Sequence, residues 1–127
     1  MSDPRTAELK RTDTLTEFDT GSKRSSNSKK TRIDLISPHF LDRLGHHMRK
    51  GAEIYDARNW EKGQNMSRLY ESAIRHLVQY HLGMVDEDHL SAVAFNVMAM
   101  IHQQEMFSLG LLPKELDDLK TYGGGEK

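Results

Sequence analysis

The sequence predicts an all-α fold: a helical bundle of three long helices followed by a short C-terminal helix. Apolar residues recur at three- and four-residue steps through three separate segments, the signature of helical stripes. No segment shows a convincing strand pattern. The last long segment is apolar on nearly every side, and three or four helices of this length hardly cover it. The chain is therefore expected to assemble with copies of itself, as a homodimer or tetramer.

Length and composition bound the answer. The 127 residues suffice for one core, not for two independent ones. Cysteine is absent, which excludes a disulfide framework, a thiolate nucleophile and a cysteine-ligated metal. A formal charge of -1 argues against a nucleic-acid clamp, which carries a large basic excess. No apolar run approaches the roughly 18 to 20 residues that span a bilayer, and the start MSDPRTAELK has no apolar signal core. The expectation is a soluble, cytoplasmic protein with no membrane contact.

Residues 1–31 are rich in Ser, Thr, Lys, Asp and Arg, with Leu9, Leu15 and Phe18 as scattered apolar groups. Such a segment buries too little surface to offset its ordering entropy, so it is expected as a disordered tail. Its stretch GSKRSSNSKKTR holds bases and no acid, either a solvated linker or a weak contact for nucleic acid. The helical domain is placed at 32–122 and a flexible glycine-rich tail at 123–127.

Within the domain, Ser37 before Pro38 is an N-cap next to a first-turn proline, opening a helix expected to run to Ala57. Phe40, Leu41, Leu44, Met48, Ala52 and Tyr55 form its stripe, interrupted by Gly45 and Gly51, which can let a backbone or ligand come close. A polar loop, RNWEKGQN, follows. The second helix is expected from Met66 to Leu82, with Leu69, Ala73, Leu77 and Tyr80 on one face and Gly83 as its stop. The third is expected from Glu87 to Phe107, with an acidic first turn, and should lie in the middle of a bundle or in a dimer interface. Pro113 opens the short helix, expected over 114–122.

The third helix also carries His89, Asn96 and Gln103 at helical spacing. A buried imidazole or amide must find partners or cost a few kcal/mol, so these are either cross-helix hydrogen-bonding groups or parts of a site. The second helix adds His76 and the Glu71/Arg75 pair, by itself a solvated ion pair. The first adds Lys50 and the carboxylates Glu53 and Asp56, one turn apart and so able to share a cation. If the three helices pack through their stripes, these groups surround one cleft. Carboxylates hold Mg²⁺, and Mg²⁺ with Arg or Lys holds phosphate. Neither a G-x-x-x-x-G-K-[ST] loop nor H-E-x-x-H occurs, which excludes P-loop and helical zinc-protease chemistry.

Three strings, RIDLISPHFLDRLGHHMRKGAEIYDARNWEKG, SAIRHL and DEDHLSAVAFNVMAMIHQQE, together resemble a phage and prophage family, the dATP/dGTP diphosphohydrolase N-terminal domain. The resemblance covers about residues 31–107 and rests on the ordered set G-A-E-x-Y, N-W-x-K-G, R-H and E-D-H-L-x-x-x-x-x-N. It implies kinship with the MazG-like all-α nucleotide pyrophosphatases, and hence Mg²⁺-dependent release of pyrophosphate from dGTP or dATP, in host cytoplasm if phage-encoded. The motif positions are Glu53, Tyr55, Asn59, Trp60, Lys62, Arg75, His76, Glu87, Asp88, His89 and Asn96. The MazG-like pattern E-E-x-x-E followed by E-x-x-D is not present in that form, and Asn96 stands where an acid is expected.

On this basis Glu53, Glu87, Asp88, His89 and Asn96 are expected to bind Mg²⁺ or Mn²⁺, hard cations that prefer oxygen and accept imidazole. Glu53, His76 and Asp88 are the expected catalytic residues. Arg75 is expected on the phosphates, with Lys50, Arg58 and Lys62 as helpers, because the guanidinium fork matches phosphate oxygens. Asn59 and Trp60 are expected at the base, or Trp60 plugs the end of the bundle. Two rival readings are a non-catalytic helical interaction module and a nucleotide sensor that keeps the pocket without turnover.

Overall fold

A computed structural model describes residues 3–10 and 14–123. Of the tails expected at 1–31 and 123–127, residues 1–2, 11–13 and 124–127 lie outside the described residues. The chain divides into two units, Met1–Ile36 and Ser37–Lys127. In the first, strands β1 (Leu15–Glu17) and β2 (Lys23–Ser25) pair antiparallel with Glu17 opposite Lys23. This corrects the expectation of no strand. The turn between them uses Gly21 at φ +88, and its amide bonds to the Phe18 carbonyl at 2.8 Å. Strands of three residues, nearly all exposed, leave no apolar alternation for a sequence reading to detect.

The second unit is built on helices α1 (Pro38–Tyr55), α2 (Met66–His81) and α3 (His89–Ser108). Ser37 caps α1 as expected, its Oγ accepting the Phe40 amide at 3.2 Å. The helix stops at Tyr55 because Asp56 and Arg58 both take positive φ, 76 and 62. A single 3₁₀ turn, Asn59–Lys62, then leads to α2. α3 begins at His89, so Glu87 and Asp88 precede the helix instead of forming its first turn. Asp88 is its N-cap, accepting the Ser91 amide at 3.2 Å. The expected fourth helix is only a 3₁₀ turn, Lys114–Leu116. The rest of that segment is extended over the start of α2, where Asp118 accepts hydrogen bonds from Asn65 and Ser67.

α2 and α3 pack antiparallel, and the seam between them is polar. His89, Ala92, Asn96, Ala99 and Gln103, spaced alternately by three and four, are the buried face of α3 with Ser91. Across it His76 meets His89, Ser72 meets Asn96, and Met66 meets Gln103. The alanines bring the helices close enough for these short polar groups to bond directly. Gln103, 1% exposed, also holds the loop, accepting from the Gln64 amide at 2.6 Å and donating to its carbonyl at 2.7 Å. Met66, Leu69 and Ala99 make a small apolar core against which Trp60, Met100, Phe107 and Leu119 pack.

α3 is thus not central through its apolar residues. Val97 and Ile101 stay 44% and 57% exposed and, with Val93 and Met100, line an apolar groove against Tyr70, Ile74 and Leu77 of α2. No other part of the chain comes close to the two glycines of α1, since a Cβ at Gly45 or Gly51 meets nothing within 4 Å. Gly63 does: at φ +104, a Cβ there would lie 2.6 Å from Leu116 Cδ1. No helix among the described residues is long and apolar enough to cross a membrane.

Candidate functional site

All three helices and the loop after α1 border one cleft of about 380 Å³. α1 contributes His47, Met48, Gly51, Ala52 and Tyr55, residues that its three- and four-residue steps align. The loop contributes Asp56, Arg58, Asn59 and Trp60; the positive φ values at Asp56 and Arg58 turn the chain across the end of the cleft. α2 contributes Arg68, Ser72, Arg75 and His76, and α3 contributes Ala92, Phe95 and Asn96. Three guanidinium groups therefore face a space bordered by a single carboxylate, Asp56.

Among the described residues these arginines pair with the half-buried Glu61 and the exposed Glu71. Arg58 bonds Glu61 at 2.7 Å, Arg75 bonds Glu71 at 2.9 Å, and Arg68 lies 3.9 Å from the same Glu71. Exposed pairs of this kind are worth at most about 1 kcal/mol. An incoming phosphate can replace them.

His76 is buried at the α2–α3 seam, its Nδ1 2.9 Å from Nδ1 of the buried His89. His89 Nε2 in turn lies 2.9 Å from Asp86 Oδ1. Burial pushes the His76 imidazole below its ordinary pKa, and the partly buried His47 shifts the same way for the same reason. The bond from His89 holds the Asp86 carboxyl below the usual range. One ligand atom each from His76, Glu87 and His89 lies within 4.8 Å of the others.

The cleft assembles part of the expected site. Arg58, Arg75, Asn59, Trp60, His76 and Asn96 all border it, while Lys50 and Lys62 do not. Asn96 donates to Ser72 Oγ at 3.1 Å and to the Ala92 carbonyl at 2.8 Å, so its amide serves the seam as well. Trp60 both borders the cleft and packs, edge-on to His102 at 4.9 Å and to Phe95 at 6.0 Å.

The expected oxygen-rich cation set is not brought together. Glu53 is exposed on α1 and bonded to Arg49 at 3.1 Å. Asp88 is taken by Arg43, which reaches it through Nη2 at 2.6 Å and Nε at 3.1 Å, and by Ser91. The Arg43 guanidinium holds the Asp88 carboxyl well below the usual range. Of the three expected carboxylate ligands only Glu87 stands with the histidines.

Three site residues escape a reading of the sequence: Arg68, His47 and Asp86. Arg68 lies two helical turns before Arg75 with Ser72 between, so its spacing carried a signal. Asp86 stands three residues before His89, but in a non-helical turn that periodicity does not describe.

A family model described as dATP/dGTP diphosphohydrolase, N-terminal, matches residues 20–109. No curated protein and no solved structure matches the chain.

Proposed function

Since the chain belongs to the dATP/dGTP diphosphohydrolase N-terminal family, we propose that it hydrolyses purine deoxynucleoside triphosphates to the monophosphate and pyrophosphate. The observation that carries this reading is the convergence of Arg58, Arg68 and Arg75 on one cleft with an indole at its end. A triphosphate brings about four negative charges, which three forked cations complement in both charge and geometry. With the phosphates along these arginines, the group beside Arg75 also lies beside His76. Asn59 and Trp60 then flank the base. A divalent cation, when bound, neutralises phosphate charge and lowers the pKa of water.

The exposed apolar groove of α2 and α3 supports self-assembly, because an apolar strip on a small domain is stabilised by pairing with its like. A second reading, nucleotide sensing without turnover, draws support from the single carboxylate at the cleft. Pyrophosphate release from dGTP, dATP and the pyrimidine deoxynucleotides, with Mg²⁺ or Mn²⁺, separates the two. Release confined to purines bears out hydrolysis. Saturable binding with no release favours the sensor, and neither binding nor release defeats both.

A further inference from the structure

We propose that His76, His89 and Glu87 form a binding site for a borderline first-row metal ion of the Co²⁺ or Zn²⁺ class, with Asp86 as its positioning residue. The site stands apart from the proposed reaction. Any part it takes in turnover rests on that reading.

The donor set is the first argument. Two imidazole nitrogens and one carboxylate oxygen converge within 4.8 Å. Mg²⁺ demands oxygen ligands and sheds water reluctantly, whereas nitrogen donors favour borderline transition metals. The expected all-oxygen companions of Glu87 are engaged elsewhere, Glu53 by Arg49 and Asp88 by Arg43.

Spacing is the second. Two nitrogens each about 2.1 Å from one ion at a right angle lie about 3 Å apart. The Nδ1 atoms of His76 and His89 are 2.9 Å apart. For both lone pairs to reach a common ion, the two rings must turn off the line that joins the nitrogens in their hydrogen bond.

The third argument is the tautomer. Asp86 is a carboxylate, so the bond at 2.9 Å requires His89 to carry its proton on Nε2. In the neutral imidazole, its Nδ1 is then the lone pair that meets His76. This is the carboxylate–histidine arrangement that fixes ring orientation and raises basicity in metal sites. Without an ion, His76 donates its own Nδ1–H to that lone pair. With one, the His76 proton sits on Nε2 and both Nδ1 atoms ligate.

Access is the fourth. The histidines are buried, Glu87 is exposed, and His76 borders the cleft, so three protein ligands leave positions open to water or to a phosphate oxygen.

The test uses the full chain without a histidine tag and titrates it with Co²⁺ and Zn²⁺, read by calorimetry and by the visible bands of Co²⁺. One saturable site per chain is expected, with Mg²⁺ failing to displace Co²⁺. Glu87→Gln, at an exposed position, should keep the helical circular dichroism and weaken affinity by at least about tenfold. Asp86→Asn should weaken it by about 10- to 100-fold. Absence of a saturable site, or a site untouched in both Glu87→Gln and His76→Gln, overturns the proposal. Pyrophosphate release sustained by Mg²⁺ without a Co²⁺ site would remove the metal site and leave the hydrolase reading in place. A Co²⁺ site without any release would do the reverse.

Discussion

Asp118 caps α2 from 51 residues away: its Oδ1 accepts the Ser67 amide at 3.0 Å and its Oδ2 accepts the Ser67 hydroxyl at 2.6 Å. Asn65, the residue at the N-cap position, makes no side-chain cap of its own. The C-terminal segment thus does for α2 what Ser37 and Asp88 do locally for α1 and α3.

Asp118→Ala is expected to lower Tm by a few degrees, because three donors at the start of α2 lose their acceptor. The hydrogen bonds from Ser67 lower the folded-state pKa of Asp118. Its contribution is therefore present above the unfolded carboxylate value of about 4 and fades as pH falls from there toward the folded value. Thermal melts of the parent and Asp118→Ala should differ most near pH 6 to 7 and converge in acid. A gap that widens on acidification would contradict the capping role.

Gln103→Leu is expected to cost about 3 kcal/mol. It leaves the Gln64 amide and carbonyl, both now bonded to Gln103, without partners in a partly buried site. Chemical denaturation measures the loss. A cost below about 1 kcal/mol would mean that water takes over both bonds.

For the proposed substrate, Arg75→Lys is expected to reduce kcat/KM by about 2 kcal/mol, since a point charge replaces a bidentate fork. Glu71→Gln is the matched control, removing the acid that holds Arg75 at 2.9 Å while sparing the guanidinium. If both variants behave alike, Arg75 matters only through its ion pair.

Trp60→Leu is expected to lower stability by about 2 kcal/mol, because the indole packs edge-on against His102 and Phe95. The same ring borders the cleft, so its fluorescence should respond to dGTP with Ca²⁺ present. Loss of stability with unchanged fluorescence would assign Trp60 to packing alone.

Sedimentation should find the parent chain as a dimer or tetramer, and Ile101→Glu should shift it toward monomer. Ile101 is 57% exposed in one chain and lines the apolar groove. A monomeric parent at micromolar concentration would refute self-assembly through this face.

How much of this was legible in the sequence depends on the kind of information each residue carries. The caps at Ser37 and the stop at Gly83 are local chemistry and read directly. Arg75, Arg58, Asn59 and Trp60, whose roles the family resemblance implies and whose places a helix and a short loop constrain, do border the cleft. The sidedness of α3 is not legible, since its 14 residues from His89 to His102 are mostly apolar and give almost no periodic contrast. The minority polar residues at a seven-residue interval, His89, Asn96 and Gln103, decide which face turns inward. The ion pairs that Glu53 and Asp88 make are not legible in the sequence for a different reason. Their competing partners Arg49 and Arg43 are a matter of tertiary geometry and rotamer, which spacing alone does not reveal.

α1 contributes no buried residue, yet it furnishes one whole wall of the cleft. Its ties to α3 include the exposed Arg43–Asp88 pair and the ring contact between His47 and Phe95 at 5.5 Å. Elements held this way open at a small fraction of the global unfolding free energy. Amide hydrogens of α1 should exchange well before those of α2 and α3, whose seam is closed from His76 to Gln103. A nucleotide bound between α1 and α2 would tie this loosely held wall to the floor, so α1 exchange should slow on adding nucleotide.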